Sequence, residues 1–331
     1  MKELDTVQNA GLRICSGVFR ISPVESIYVD TEELPLDLRR EELGLRYVMK
    51  LNGSPENPAA NALQGFNPLK FAGVRASKPL TLRLEASLEN DSIKTQRLRD
   101  IKCSKQPPWL IPEPSICPKI LISSSKIYRL LRARFYDHDR IHCNSIKIYT
   151  DGSKTSDGVG CSVIHDDSSY VGRLSNNASI FTAELTGLVK SLEMISTLRG
   201  RNFTIYCDSY SALMAIKKYN PQNLIIQGIQ DWLCRLSSKL KSVSFCWVPD
   251  HVGIQGNEIV DTEAKAAIGR EILFHHVPFS DMKPVIREYI RNKWQNRWAS
   301  PLLPNNKKYK SIRSSVTRWM SSYQKSRYCF K

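Results

Sequence analysis

The chain has nine cysteines among its 331 residues but no C-x-x-C pair. Scattered singly, they have neither the ligand spacing of a zinc site nor the density of a disulfide framework, and they predict a reducing, intracellular compartment without separating nucleus from cytoplasm. Apolar runs of the roughly 20 residues that cross a bilayer are also missing. The charged start MKELDTVQN lacks the apolar core of a secretory signal, so no membrane role is expected. Acidic residues are scarce overall, 32 against 48 basic ones, for a net charge of +16. The deficit is uneven: 10 acidic and 7 basic residues in 1–60, 7 and 15 in 61–144, 12 and 13 in 145–270, and 3 and 13 in 271–331. Basicity therefore sits mainly in the flanks of a nearly neutral middle. Such flanks favour a polyanionic partner, with binding that weakens in salt, although a solvated basic linker is the plainer account. The aromatics Trp294, Trp298, Tyr309, Trp319 and Tyr323 among the C-terminal charges are suited either to stacking on bases or to packing against a domain.

Four carboxylates in the middle segment stand in settings that support one chemistry. Ser145 to Tyr149 alternates apolar and polar residues as a strand does, and Asp151-Gly152-Ser153 reads as its turn, which puts Asp151 at a strand end. The run NFTIYCDS repeats the pattern, with Asp208 where the strand stops. Phe181, Leu185, Leu188, Leu192 and Ile195 recur at helical spacing, placing Glu184 in the first turn of an amphipathic helix and next to its apolar face. Asp261 opens a short helix, Thr262 to Ile268, after a loop containing Gly253 and Gly256, with His251 ten residues before it. Taken singly, each residue has a plainer reading: a turn pair, dipole compensation, a helix cap, a solvated helix residue, an idle loop histidine.

In their order, the segments YTDGSKTSDGVGCSVI, FTAELTGLVKSLEMI, YCDSYSALMAI and WVPDHVGIQGNEIVDTEAKAA resemble a type-1 ribonuclease H domain, in the wording of jockey-type non-LTR retrotransposons. The resemblance implies an α/β fold with a five-stranded mixed sheet and helices on both faces. It also implies that Asp151, Glu184, Asp208 and Asp261 are metal ligands, that His251 is a mobile proton carrier, and that Ser209, Asn257 and Glu258 support the site. Carboxylates gathered at neutral pH need a cation to offset their charge, and oxygen donors suit two Mg²⁺ ions, with Mn²⁺ as substitute. The implied substrate is an RNA/DNA hybrid cut in its RNA strand, with no small-molecule cofactor. Two positions depart from the family's wording. Asp250 brings a negative charge beside His251, and Glu263 stands where an apolar residue is usual, at a cost if that site faces the core. A non-catalytic nucleic-acid-binding remnant is the alternative.

The remaining sequence divides into 1–63, helical and similar to the stretch joining reverse transcriptase to ribonuclease H; 64–144, a basic, proline-containing linker with local helix near Lys126 to Arg134; 145–270, the catalytic segment; and 271–331, a basic tail with a helix from Ser280 to Trp298. No polymerase aspartate pair is found, so the resemblance implies a fragment lacking the reverse transcriptase catalytic domain. Oligomeric state is not written in any of these patterns.

Overall fold

A computed structural model describes residues 2–54, 57–60, 79–94, 97–98, 107, 109, 111–117, 128–141, 143–166, 168–300 and 307–316. Lys126, Asp167, Trp319, Tyr323 and much of 64–144 lie outside the described residues. The chain forms two compact units: an α/β unit of 52–57 and 96–282, and a helical unit of 1–51, 58–95 and 283–331.

The α/β unit is built on β1 (Arg97–Leu98), β2 (Ser115–Cys117), α1 (Tyr128–Ile141), β3 (Ile146–Lys154), β4 (Val159–His165), β5 (Ser168–Leu174), α2 (Ile180–Thr197), β6 (Asn202–Cys207), α3 (Tyr210–Ile216), α4 (Leu224–Ser238), β7 (Ser242–Trp247), α5 (Gln255–Ala267), β8 (Ile272–Phe274) and β9 (His276–Val277). Its main sheet runs β2-β7-β6-β3-β4-β5-β8. The β3–β4 and β4–β5 pairs are antiparallel, and the others are parallel. The α/β class and mixed sheet are as expected, but among the described residues the sheet has seven strands rather than five. The two additions, β2 and β8, are three residues each and join the outer edges. Runs that short carry no readable alternation.

Alternation in β6 explains how both sheet faces are covered. Phe203, Ile205 and Cys207 point into a core with Leu185, Leu188 and Leu192 of α2 and Ile225, Ile226 and Ile229 of α4. Tyr206, between them, points the other way, into a second cluster with Phe135 of α1, Cys246, Val248, Val252 and Ile254. On this second face α5 packs on β3 and β4, and the Ser162 hydroxyl donates to the Val260 carbonyl at 2.9 Å.

Close approach at two glycines sets the helix positions. A Cβ at Gly152 of β3 would lie 2.7 Å from the Glu184 backbone nitrogen, so its absence lets α2 sit directly on the strand. A Cβ at Gly256 would lie 2.4 Å from the Tyr149 ring, which is itself stacked on Tyr206 with 5.0 Å between centroids.

In the helical unit, helices Lys2–Ser16, Val24–Thr31, Leu36–Asn52 and Leu80–Leu88 join the greater part of Phe279–Ala299 and Lys307–Ile312. Trp298 is buried, donates from Nε1 to the Arg313 carbonyl at 3.0 Å, and meets Tyr309 edge-on. Trp294 is buried too, so these three aromatics pack rather than wait for bases. The basic tail also finds acids within this unit. Lys293 pairs with Glu41 at 2.7 Å, Arg297 with Glu25 and Asp37, and Arg313 with Asp30 at 3.7 Å and Glu32 at 3.9 Å. Part of the flanking basicity is thus consumed by the acidic N-terminal helices.

Gly256→Ala is expected to destabilise the α/β unit by about 1–3 kcal/mol through overpacking against Tyr149. Gly228→Ala in α4, where a Cβ meets nothing within 4 Å, is expected to stabilise it by about 0.5–1 kcal/mol. Urea unfolding of the two variants checks both signs; equal effects would show that Gly256 is not a packing contact.

Candidate active site

The β3–β6 pairing ends at Thr150 opposite Cys207, so Asp151 and Asp208 emerge next to each other where the two strands part. Asp208 does follow the end of its strand. Asp151 does not: β3 continues with β4, pairing Asp151 with Ser162 and running on to Lys154 opposite Val159. The Asp-Gly-Ser stretch is therefore strand rather than turn, because β3 outruns its neighbour on one side only. Asp208 is held from its backbone as well, its carbonyl accepting from the Trp247 indole at 2.7 Å. Ser209 then caps α3, accepting from the Ala212 N–H.

Glu184 is buried and comes from the fifth residue of α2, just beyond the first turn expected for it. The helix is capped by Ser179, whose hydroxyl accepts from the Thr182 N–H at 3.1 Å. Ser179 is itself gripped by buried Asp281, which accepts from its N–H at 2.9 Å and from its hydroxyl at 3.1 Å. Asp261 projects from the middle of α5, since that helix begins at Gln255 and takes in the Gly-Asn-Glu motif. Gly256 reads as loop in sequence, but here it is the residue that lets α5 approach Tyr149. Asn257 is buried and its Oδ1 has no partner among the described residues, whereas Glu258 is exposed, its carbonyl accepting from Thr262. Glu263 is half-exposed and lies 3.9 Å from Arg270, so the feared burial of a carboxylate is not incurred.

The three acids Asp151, Glu184 and Asp208 form a tight group. Donor atoms of Glu184, Cys207 and Asp208 lie within 4.8 Å of one another, and Asp151 and Asp208 share a side-chain hydrogen bond. Two carboxyls in that contact must hold a proton between them when no cation is bound. Burial, then the charge of Asp208, raises Asp151 far above the usual carboxylate range. Burial, then Asp250, raises Asp208, and burial, then Asp208 and Asp151, raises Glu184. The Gly152 N–H opposes this by hydrogen bonding to Asp151 and Glu184. Asp261 adds its field to Asp151 and Asp208, and its Oδ2 accepts from Lys265 at 2.7 Å. His251 stands exposed on the loop between β7 and α5, with φ 53° and its Nδ1 3.2 Å from Asp250. The structure therefore gathers three of the expected ligands, with Asp261 and His251 at the margin.

Residues 143–269 match the family model described as RNase H. This segment is an RNase H domain. No curated protein matches the chain. In this RNase H domain the donor set fits a hard divalent cation: its charged donors are carboxylate oxygens, and burial followed by the charge of Glu184 keeps the Cys207 thiol protonated, 3.8 Å from Glu184 Oε2. Asp250 stands beside His251 as the sequence suggested, whereas Cys207, Lys265 and Asp281 were not legible as site residues in the sequence. Cys207 carried a usable signal in its place one residue before Asp208, on the core side of β6. Asp281 carried none, being 102 residues from Ser179.

Raised folded-state pKa values mean that the metal-free protein loses stability as pH rises above the ordinary carboxylate range near 4 and through the elevated folded values. In chelator, Asp208→Asn is expected to raise the melting temperature, and by more at pH 8 than at pH 5; Mg²⁺ or Mn²⁺ should raise that of the wild type. A lower melting temperature for the variant at pH 8 would contradict the like-charge account.

Proposed function

We propose that the chain is a metal-dependent endonuclease that hydrolyses the RNA strand of RNA/DNA hybrids. The observation that carries this reading is the cluster of buried Asp151 and Glu184 with half-buried Asp208, whose uncompensated charge suits divalent cations, inside an RNase H domain. In this reading Asp151 and Asp208 hold the first ligand positions, with Glu184 and Asp261 completing a site for two Mg²⁺ ions, or Mn²⁺ in their place. When bound, the pair supplies an activated water and stabilises the leaving oxygen of an in-line phosphodiester displacement.

The chain's own residues supply the rest. Gly152 and the capped α2 orient Asp151 and Glu184, Trp247 fixes the backbone of Asp208, and Lys265 holds Asp261 until a cation competes for it. With Nδ1 of His251 turned to Asp250 at 3.2 Å, Nε2 is the nitrogen in this reading that takes and releases a proton as product leaves. The preference for a hybrid rests on the 2′-hydroxyl, which an A-like helix presents across its wide minor groove. The wording of the four motif segments supports an origin in a non-LTR retrotransposon, with 145–270 as the catalytic segment, and the cysteine pattern supports an intracellular location.

Incubated with a labelled hybrid and Mg²⁺, the full chain is expected to cut RNA and to stop in chelator. Asp208→Asn should lower the rate by at least about a hundredfold. His251→Ala should lower turnover by about a hundredfold while hybrid affinity is kept. A wild type that binds the hybrid but leaves it whole in both Mg²⁺ and Mn²⁺ would overturn the enzymatic reading in favour of a binder.

A further inference from the structure

The loop that carries His251 is backed by a helix lying outside the RNase H match. From α1, Phe135 is buried against Val252 and Ile254 of that loop, against Tyr206 and Cys246 of the strands beneath it, and against Val248 just past the end of β7. Asp139, one turn further on, accepts from Lys147 of β3 at 2.7 Å and from the Tyr206 hydroxyl at 3.4 Å. The helix is therefore fixed to the sheet at two points. Between its N-terminus and Phe135 stands Arg132, exposed, with its guanidinium close to the loop: a Cβ at Gly253 would lie 3.1 Å from Nη1. Gly253 has φ +79° and is two residues from His251.

Among the described residues Arg132 has no carboxylate partner; its described neighbour is the Tyr136 ring, 5.7 Å away. Neither acid of its own helix offsets it, because Asp137 pairs with Arg140 at 3.2 Å and Asp139 with Lys147 at 2.6 Å. An arginine held at the rim of a strongly acidic site, with its charge unspent, has the chemistry to bind a phosphate. The acids of the site repel a nucleic-acid strand, and the nearly neutral RNase H segment does little to offset them, so cations are needed along the approach.

We propose that Arg132 is a substrate-binding residue, contacting a backbone phosphate of the nucleic-acid strand that crosses the His251 loop. The inference rests on the nuclease reading for the identity of the strand, but the contact itself is to phosphate and is indifferent to base and sugar.

The test uses the full chain carrying Asp208→Asn, in Mg²⁺, so that substrate stays intact. Affinity for fluorescent RNA/DNA hybrid, duplex RNA and duplex DNA is measured over a salt series, with and without Arg132→Gln or Arg132→Lys. Calorimetric Mn²⁺ binding and circular dichroism, read with Asp208 intact, report the acidic site and the fold. Arg132→Gln is expected to weaken binding several-fold and to reduce the salt slope by about 1, with Mn²⁺ binding unchanged, and Arg132→Lys to restore the slope. Unchanged affinity and slope in a folded Arg132→Gln protein would overturn the inference while leaving hybrid cleavage by the wild type as a separate result. So would weaker binding without a change of slope. Should the wild type fail to cut hybrid yet bind a duplex with an Arg132-dependent slope, the nuclease reading fails and the phosphate contact stands. Binding to none of the three probes overturns both.

Discussion

The arrangement depends on keeping mutually repelling carboxylates together where water is largely excluded. Asp151 and Asp208 are delivered by adjacent strands at the point where their pairing ends, and Glu184 is pressed against them by a helix that touches the strand backbone. Each contact that shortens these distances raises the free energy of the metal-free state at neutral pH. Hydrogen bonds from the Gly152 N–H and the proton shared by Asp151 and Asp208 offset only part of that cost. The hydrophobic core beneath, with Leu185, Leu188 and Leu192 packed on Ile148, Phe203 and Ile205, opposes separation of the acids. Site and scaffold are thus in opposition until a cation binds.

Much of this was legible because it is local and periodic. The apolar spacing of α2 and the alternation in β6 follow from one face being buried, and they place Glu184 and Asp208 without reference to anything distant. Errors came where a residue's role is set by a neighbour far along the chain. Gly152 and Gly256 look like turn and loop glycines, yet they are the points where α2 and α5 approach β3. Hence Asp151 appeared to end a strand that continues, and Asp261 to open a helix that had begun six residues earlier. Edge strands β2 and β8 escaped for a different reason, being too short to display a period. Asp281 and Arg132 have no local signature at all, since their neighbours Ser179 and Gly253 are brought near by folding alone.

Charge composition misleads in a related way. A tail with 13 basic and 3 acidic residues suggests a polyanion-binding arm. In the helical unit Lys293, Arg297 and Arg313 instead meet Glu41, Glu25, Asp37, Asp30 and Glu32, so the surplus of one end answers the surplus of the other. Net charge counts what is present, and only the fold separates cations already neutralised from those still available.

The grip of Asp281 on Ser179 gives the RNase H domain a dependence on sequence beyond its own borders. The residue that secures the start of the Glu184 helix lies past the end of the family match, at 269, just as Phe135 supports the His251 loop from before its beginning at 143. The geometry of the acidic cluster therefore depends in part on sequence that contributes none of its acids. Substitutions in those flanks can shift that geometry while every acid in the site stays intact, so a copy of this domain spliced into another chain would bring its acids without the supports that place them.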